Sequence, residues 1–567
     1  MKQLFQIFLF CHISFSTYAQ NFSLKLKGTN EAENAIIDSL NYIQTHSNVK
    51  SVTIEALTII EKLNKKGYLD IKTLENNKIN DSTYSYKLSL GNKTKYTYIY
   101  IGTNNSFFNQ SKTKNDTIMI RYEETENYLN QKIAEAEKQG FPLSKVKLKN
   151  IKRKDSIIYA DLFLDYEKKR NLNSIIANYT NNNRKDYFPK GHLKQLNKKY
   201  IDKTFNQKTV KELYDDINNF GFVNQSKYPE ILFTNDSTKV YVYLEKRKAN
   251  NFDGYIGFSN DENKKFNLNG YLDATLQNTL LAGEQFSLYW KSDGNQQKTF
   301  NTKLEIPYIF KSPLGIKAQL NIFKQDSTFQ NTKTAIDLGY YLNYNTKLYI
   351  GYQSTESSDI QNTNSTTVSD FKSSFTTSTF DYIKTDPLND LLSKKANLNL
   401  ILAFGKRNTN NQSETAASSN QFYTNLNFSY NFELNQKNFI NINSQNFYLS
   451  SQNYLVNELF RFGGINSIRG FLENSLQANL LTSILTEYRY VVSKNLYVNS
   501  ILDYGIYQDL TRAENKTKLN KLTGIGVGTT INTTSGILKI NLTNNITDEQ
   551  NLKLYNTIVN ICYNVKF

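Results

Sequence analysis

The chain has few residues of the kinds that build catalytic and metal centres. Its 567 residues include two cysteines and three histidines, and Cys11 and His12 lie in a predicted export signal. The remaining Cys562, His46 and His192 cannot form a disulfide framework and are too few for a zinc site of the usual kind. No phosphate-binding, dinucleotide-binding or nucleophile-elbow motif is present. The inventory therefore predicts a protein that is not an enzyme, with no catalytic residue, cofactor or metal.

Long apolar runs are missing beyond the first residues of the chain. The mean hydropathy is −0.57, and no later run approaches the ~20 apolar residues that a transmembrane helix needs. This excludes a helical membrane protein. A membrane β-barrel stays open, because its strands expose only every second residue to lipid and its rims are rich in aromatic residues. Aromatic residues make up 13% of this chain.

The charge is strongly basic, with a formal net charge of +17. The lysines and arginines are scattered among asparagine and acidic residues without a nucleic-acid-binding motif, so no nucleic-acid partner is predicted. On an exported protein, a basic balance favours anionic lipid headgroups or acidic segments of other polypeptides as partners.

Residues 1–19 predict a secretory signal peptide. Lys2 precedes an apolar run from Leu4 to Phe15, and Thr17 and Ala19 are small residues at the positions that a signal peptidase reads. The apolar core is too short for a membrane-spanning helix. We therefore expect cleavage after Ala19.

Residues 20–248 alternate between helix and strand patterns, with one helix ending that recurs. Three helical patterns end in the same way, at Lys66-Gly67-Tyr68, Gln139-Gly140-Phe141 and Phe220-Gly221-Phe222. Glycine after a helix accommodates a left-handed cap. The recurrence predicts three small α/β units, over residues 20–110, 111–168 and 169–248. The alternative is one α+β periplasmic domain with incidental similarity between its helix ends.

Two further expectations concern side chains in these units. A helix over residues 51–66 is expected to bury an apolar stripe, formed by Ile54, Leu57, Ile60 and Leu63. His46 and His192 are expected to be surface residues of a polar domain.

From Asn250 onward, alternation of polar and apolar residues replaces the helical patterns. Phe428 and Tyr430, for example, alternate with Ser429 and Asn431. About sixteen such segments are separated by polar turns, which predicts a transmembrane antiparallel β-barrel over residues 249–567. A soluble sandwich also alternates, but it is a domain of ~100 residues. The barrel lumen is expected to be wet and short of large apolar side chains.

The last strand pattern carries the apolar residues Tyr563, Val565 and Phe567, and the chain ends on the last of these. Unpaired backbone groups in lipid cost several kcal/mol each, so the sheet must close on itself. We expect the last strand to pair with a first strand near Phe252–Phe258.

Residues 458–473 interrupt the alternation between two strand patterns. Gly463 and Gly464 permit a turn without side-chain restriction. Ile468, Arg469, Gly470 and Phe471 follow, so that a cation lies beside flexible backbone and an aromatic residue. This predicts a loop folded back into the barrel lumen. The alternative is an incidental R-G-F sequence in a surface loop.

The arginine of this loop needs acceptors, and the next two strand patterns supply two. Glu487 lies in T-E-Y-R-Y and Asp503 in I-L-D-Y-G, and the alternation within each strand places both on the side away from lipid. The sequence therefore predicts that Arg469 pairs with Glu487 and Asp503.

The strand-helix-helix-strand-strand order before a barrel resembles an array of polypeptide-transport-associated (POTRA) domains. Together with the R-G-F loop, it resembles the superfamily of outer-membrane protein insertases and polypeptide-secretion transporters. The resemblance implies that Arg469, Gly470 and Phe471 are the lumenal loop motif and that Glu487 and Asp503 are its partners. It also implies that the C-terminal residues form the insertion signal, namely Tyr563, Val565 and Phe567.

The number of POTRA-like units points to one branch of this superfamily. Three units most resemble the translocation and assembly module (TamA) barrels, whereas two-partner secretion transporters typically have two units and a plug helix. A passive porin-like channel is a further alternative. The resemblance implies an outer-membrane barrel of a Gram-negative cell, with the N-terminal domains in the periplasm. Its expected partners are unfolded outer-membrane or secreted clients, outer-membrane lipid, and an assembly partner in the periplasm or anchored in the inner membrane.

Overall fold

The structure is a computed structural model that describes residues 21–102, 116–179, 187–260, 266–293, 297–362, 367–386, 391–392, 394–409, 417–512, 518–533, 536–547 and 552–566. The predicted signal peptide and Phe567 lie outside these residues. The chain divides into two compact units, of which the first comprises Met1–Asn171 and Thr204–Lys208 and the second comprises Leu172–Lys203 and Thr209–Phe567. Among the described residues, no helix is long and apolar enough to cross a membrane.

The first unit contains two small sheets packed with helices. Its strands are β1 (Phe22–Lys27), β2 (Thr45–His46), β3 (Lys72–Asn80), β4 (Thr83–Ser89), β5 (Tyr96–Tyr100), β6 (Thr117–Arg121), β7 (Lys145–Lys154) and β8 (Ile157–Asp165). Its helices are α1 (Glu31–Asp38), α2 (Val49–Lys65) and α3 (Thr125–Lys138). The sheet orders are β2-β1-β4-β3 and β6-β5-β8-β7, and the two central strands of each sheet are parallel.

Helix α2 covers the first sheet with a different face from the one expected. It begins after Asn48, whose side chain accepts a hydrogen bond from the Ser51 N–H at 2.9 Å. The residues that it buries are Val52, Ala56, Ile59 and Leu63. Ile54 and Leu57 are 53% and 60% exposed, so the first half of the predicted stripe was wrong, whereas Ile60 packs against the core and Leu63 is buried. The helix has apolar residues on two faces, and the face that includes the small Ala56 is the one that packs on the sheet.

The boundary between the two sheets lies before Tyr96. Strand β5 pairs in parallel with β8 and antiparallel with β6, so it is a central strand of the second sheet. Thr97 and Ile99 are its buried positions. These residues fall within the predicted first unit of residues 20–110, so that predicted boundary is wrong: β5 belongs to the second sheet because it pairs with β6 and β8.

A third α/β element precedes the barrel in the second unit. It consists of β9 (Ser174–Tyr179), α4 (Lys190–Tyr200), α5 (Gln207–Asn218), β10 (Val223–Phe233) and β11 (Thr238–Lys246). The sheet order is β10-β11-β9, with β9 and β11 parallel. Its apolar core comes from the inner faces of α5 and β11, which bury Val210, Leu213, Ile217, Val240, Val242 and Leu244.

The two histidines are not surface residues, which corrects the expectation from the sequence. His192 on α4 is fully buried and His46 is 9% exposed. The His192 ring lies among aromatic rings, with centroid distances of 5.1 Å to Phe220, 4.8 Å to Tyr308 and 5.5 Å to Tyr344. The last two residues belong to turns of the barrel. Contact with the barrel therefore buries a face of α4 that the sequence of the helix alone marks as polar.

The rest of the second unit is a closed barrel of 16 antiparallel strands, which confirms the predicted fold class. The strands in chain order are β12 (Asn251–Asn260), β13 (Phe266–Gln277), β14 (Gln285–Asp293), β15 (Gln297–Ile306), β16 (Leu314–Gln325), β17 (Phe329–Asn343), β18 (Thr346–Asp359), β19 (Phe371–Thr385), β20 (Lys394–Thr409), β21 (Ala417–Asn435), β22 (Asn438–Ser450), β23 (Phe460–Phe462), β24 (Leu476–Ala478), β25 (Leu480–Ser493), β26 (Leu496–Gln508), β27 (Asn520–Asn532), β28 (Gly536–Thr547) and β29 (Ile558–Lys566). Strands β23 and β24 form a separate hairpin, and β22 pairs directly with β25.

The outer surface of the barrel is apolar, as a lipid-facing surface must be. In β17, Ile336 and Leu338 are 67% and 54% exposed, whereas Asp337 between them is buried. The same alternation runs through β18 and β26. A strand that exposes its apolar residues and buries its polar ones is the inverse of a soluble sheet and is typical of a transmembrane barrel.

Candidate functional site

The segment between β22 and β25 is held against the lumenal face of the barrel. Gly463, Gly464 and Gly470 have positive φ angles of 105°, 98° and 90°, so the chain reverses where a side chain would be strained. A Cβ atom on Gly470 would lie 2.4 Å from the Asn544 carbonyl oxygen on β28. We call residues 458–473 the inner loop.

Arg469 is the charged centre of the inner loop. Its Nε donates to Asp503 Oδ2 at 2.8 Å, its Nη2 donates to Asp503 Oδ1 at 2.5 Å, and its Nη1 donates to Glu487. The three residues are at most 4% exposed. The structure thus brings Arg469, on the loop, together with both carboxylates named from the sequence, on β25 and β26. A bidentate, charge-assisted contact of this kind fixes orientation as well as position.

Two further cations meet Glu487. Arg489 Nε donates to Glu487 Oε2 at 2.7 Å, and Lys539 Nζ lies 3.4 Å from Oε1. Three cations therefore surround two carboxylates, and Asp503 has Arg469 as its single cationic partner among the described residues. Burial alone would lower the pKa of Arg469, but the hydrogen bonds and charge of Asp503, with Glu487, raise it above its ordinary value.

Close backbone approach and an apolar cluster complete the packing of the loop. A Cβ atom on Gly524 would lie 2.2 Å from the Arg469 carbonyl oxygen, and one on Gly505 would lie 2.3 Å from Ile468 Cδ1. The buried residues around the loop include Phe462, Ile468, Phe471, Leu481, Leu485 and Leu522. The expectation that the lumen lacks large apolar side chains was therefore wrong around the loop, because the loop needs them to pack against.

Two ion pairs attach the inner loop to two other strands of the barrel wall, β20 and β14, and neither pair was predicted from the sequence. Glu458 is ion-paired with Arg407 on β20 and accepts from Gln421 Nε2 at 2.8 Å. Glu473 is ion-paired with Lys291 on β14 and accepts from the Tyr289 hydroxyl at 3.1 Å. The alternation marks these partners as lumenal residues, but it does not tell which lumenal residue meets which.

The barrel closes through a short seam between its first and last strands. Asn251 pairs with Lys566 and Phe252 with Val565, and these are the two residue pairs that join β12 to β29 in the described chain. Every other neighbouring pair of barrel strands shares eight or more. We call the contact of β12 and β29 the seam.

Three solved structures illustrate what this chain is similar to. CdiB from Acinetobacter baumannii matches with a TM-score of 0.50 and 13% identity, over 84% of this chain and 90% of that chain. CdiB from Escherichia coli matches with a TM-score of 0.48 and 12% identity, over 91% and 98%. BamA from Haemophilus ducreyi lacking POTRA domains 1–3 matches with a TM-score of 0.47 and 14% identity, over 82% and 98%. No protein-family profile and no curated protein sequence matches.

The likeness to the A. baumannii CdiB structure shows the fold. The predicted combination of POTRA-like units and a 16-stranded barrel is thereby confirmed as an architecture. Tyr563 and Val565 of the predicted insertion signal lie on β29, next to the seam, and Phe567 is outside the described residues. Within the described ranges, no group of three or more His, Cys, Asp or Glu side chains could hold a metal ion.

Proposed function

We propose that this protein is an outer-membrane barrel that assembles other polypeptides into the membrane, with its N-terminal units in the periplasm. The observation that carries the proposal is the seam. Residues 253–260 of β12 pair with β13 alone, and residues 558–564 of β29 pair with β28 alone, among the residues that the structure describes. Unpaired strand edges within a membrane are costly, so they favour the addition of another strand.

A client strand can satisfy these edges by β-augmentation. An extended polypeptide that adds to β12 or β29 gains main-chain hydrogen bonds that the seam itself lacks. The free energy for assembly then comes from folding of the client, and no nucleotide or cofactor is required. The barrel acts as a template and not as an enzyme.

The N-terminal units are proposed to be three POTRA-like domains that collect clients, built around the three small sheets, with the first domain ending before Tyr96. In the described chain, the first two sheets each have an outer strand that pairs with one neighbouring strand, namely β3 and β7. Free edges of this kind can pair with extended segments. The number of three domains favours an assembly role like that of the TamA barrels, because two-partner secretion transporters typically have two.

The inner loop is proposed to support this activity from inside the barrel. Arg469 joins the loop to β25 and β26, which lie close to the seam in strand order, because three strands separate β26 from β12. Holding the loop there stiffens the wall beside the opening. Tyr563, Val565 and Phe567 are proposed as the signal by which this barrel is itself inserted.

The seam can be tested by locking it. In a Cys562→Ser background, Phe252→Cys with Val565→Cys places two thiols on directly paired residues. The matched control is Val527→Cys with Leu542→Cys, which are directly paired on β27 and β28 and exposed on the outer surface. We expect oxidation to stop client assembly in the seam variant, reduction to restore it, and the control to be active in both states. If the oxidised seam variant assembles clients as well as the oxidised control variant does, the proposal is contradicted.

Export of a large secreted protein, as by a two-partner secretion transporter, is the second candidate. The likeness to CdiB from A. baumannii favours it. Transport through the lumen does not need the seam to open, whereas assembly does. A locked seam that blocks insertion of membrane clients but leaves export of a co-expressed secreted client intact would select this second function.

A further inference from the structure

The barrel lumen contains a cavity beside the inner loop whose charges are not balanced. Its volume is about 450 Å³, and it is lined by residues of β14 to β22 and by the inner loop itself. Four charged side chains line it: Lys333, Glu458, Arg461 and Glu473. The two glutamates are engaged by Arg407 and Lys291. Lys333 and Arg461 are therefore the two charged side chains of the cavity whose charges are not balanced by an ion pair in the described part of the chain.

Lys333 and Arg461 have no ion pair or hydrogen bond with any residue that the structure describes. The Lys333 ammonium lies 5.8 Å from the Tyr423 ring centre, and the Arg461 guanidinium lies 5.5 Å from that of Phe329. Asp337, which attracts Lys333 from a distance, is bound by Lys317 at 3.4 Å. Both cations are partly buried. A partly desolvated cation without a directly paired anion favours a ligand with a negative charge.

The same cavity also has acceptors without donors. The amide oxygens of Asn331 and Asn457 have no hydrogen-bond partner among the residues that the structure describes. The Nδ2 group of Asn331 donates to the Asn457 carbonyl oxygen at 2.6 Å, and Asn457 Nδ2 donates to Ser357 Oγ at 2.7 Å. A ligand that suits the cavity therefore brings hydrogen-bond donors as well as an anion. Hydrogen phosphate carries its O–H donor on the anion itself, whereas an acidic peptide has backbone N–H donors and carboxylates on separate groups, as the cations and amide oxygens of the cavity are on separate side chains.

We propose that this cavity binds an acidic, extended peptide segment, with a carboxylate between Lys333 and Arg461 and backbone N–H groups at Asn331 and Asn457. The aromatic rings of the wall, Phe375 and Tyr423 among them, supply apolar contact for the neighbouring side chains. The proposal rests on the proposed function, because it names the client segment that the lumen recognises. Because Arg461 belongs to the inner loop, the loop would also contact the client segment.

Binding can be measured directly on the full-length protein in detergent micelles by isothermal titration calorimetry. The probes are three acetylated and amidated pentapeptides in which tyrosine alternates with glutamate, glutamine or lysine. We expect the glutamate peptide to bind about tenfold more tightly than the glutamine peptide and the affinity to fall with added salt. The lysine peptide should not bind.

Substitutions of the two cavity cations test whether the peptide binds in this cavity. Lys333→Gln with Arg461→Gln should weaken the glutamate peptide by about tenfold or more, and Lys333→Arg should keep most of its affinity. The matched control is Lys298→Gln, a neutralised lysine on β15 that is exposed and does not line the cavity. Before each titration, the variant is run on a detergent gel with and without boiling. Only variants whose migration changes on boiling, as expected of a folded barrel, are used for the binding measurements.

Three results would overturn the proposal: unchanged binding by the double variant, equal binding of the lysine peptide, or displacement of the glutamate peptide by inorganic phosphate at equal concentration. The seam-locked protein separates this proposal from the proposed function. Because the cavity is not at the seam, the locked protein should still bind the glutamate peptide. If the unlocked wild-type protein binds the glutamate peptide normally but does not assemble clients, the result would count against the proposed function alone.

Discussion

The backbone N–H and the Nε of Arg469 both donate to the same oxygen of Asp503, at 2.9 Å and 2.8 Å. One carboxylate therefore fixes the path of the inner loop and the orientation of its arginine together. Lysine could replace the charge but not the fork of donors. The fully buried Asp503 depends on this contact more than Glu487 does, because Glu487 also has Arg489 and Lys539.

Arg469→Ala should leave an inserted barrel that is less stable and less active. Asp503 becomes a buried carboxylate without a cation, which costs about 3 kcal/mol, and the loop loses its attachment to β26. Adding Asp503→Asn should restore stability, because it removes the unpaired charge, but not client assembly. Urea unfolding in micelles and an assembly assay measure the two effects separately. Recovery of assembly in the double variant would contradict the role given to the loop.

Charge reversal tests the same pair in the opposite direction. Arg469→Glu should be worse than Arg469→Ala, because it adds a third carboxylate beside Glu487 and Asp503. Asp503→Arg in that background should recover part of the assembly activity by restoring an opposite pair. The recovery should be partial, since Glu487 keeps its other cations and an arginine on β26 starts from a different backbone. A double variant no better than the single one, at equal outer-membrane levels, would show that the pairing is not what matters.

Gly524→Ala should displace the inner loop without touching a charge. The new Cβ would lie 2.2 Å from the Arg469 carbonyl oxygen, a backbone atom that cannot move alone. We expect assembly activity to fall to about the level of Arg469→Ala, with normal insertion. Gly528→Ala on the same strand is the control, because its nearest neighbour is the end of the Asn541 side chain. Equal activity of the two alanine variants would mean that the loop does not need this close approach.

The barrel and the central ion pair were predictable for a shared reason. Alternation along a strand reports which face each residue occupies, and Glu487 and Asp503 lie on adjacent strands soon after the loop that carries Arg469. The pairs of Arg407 with Glu458 and of Lys291 with Glu473 were missed, because they join the loop to distant strands. The height at which those strands meet the loop is set by register around the whole barrel.

Burial in the N-terminal part was less predictable, because it depends on contacts outside each helix. Helix α2 has two apolar faces, and its own periodicity does not tell which one meets the sheet. His192 lies in a lysine-rich helix, yet the turns that carry Tyr308 and Tyr344 enclose it. Strand β5 follows an apparently complete first unit in sequence, but it pairs across the second sheet.

The C-terminal residue should matter more for insertion than a lumenal residue on the same strand. Val559 and Ile561 are 58% and 63% exposed on the outer face of β29, and Phe567 continues their alternation in sequence. We expect Phe567→Ser to impair insertion far more than Asn560→Ser, which changes the alternate, lumenal face. Insertion is measured as the fraction of the protein that migrates as the folded form when the sample is not boiled before the detergent gel. Equal fractions would remove Phe567 from the insertion signal.

Acid should loosen the contact between α4 and the barrel turns through His192. Burial first, and the charge of Lys347 second, lower the pKa of His192 from its ordinary value of about 6.5 to about 3. The unfolded state therefore binds the proton more readily than the folded state. The stabilising contribution of the neutral ring is complete above about pH 6.5 and declines as the pH falls toward 3, by at most about 1.4 kcal/mol per pH unit.

His192→Gln removes this titration while keeping a polar side chain of similar length. We expect wild-type protein to lose about 2 kcal/mol more than the variant between pH 6.5 and pH 4.5, because other groups titrate in both. Proteolysis within the third α/β element at graded urea reports the local unfolding. Tyr308 and Tyr344, which face His192, stay neutral throughout this range. They therefore add nothing to the change of stability with pH. Parallel pH profiles for the two proteins would show that the buried imidazole does not set the acid stability of this junction.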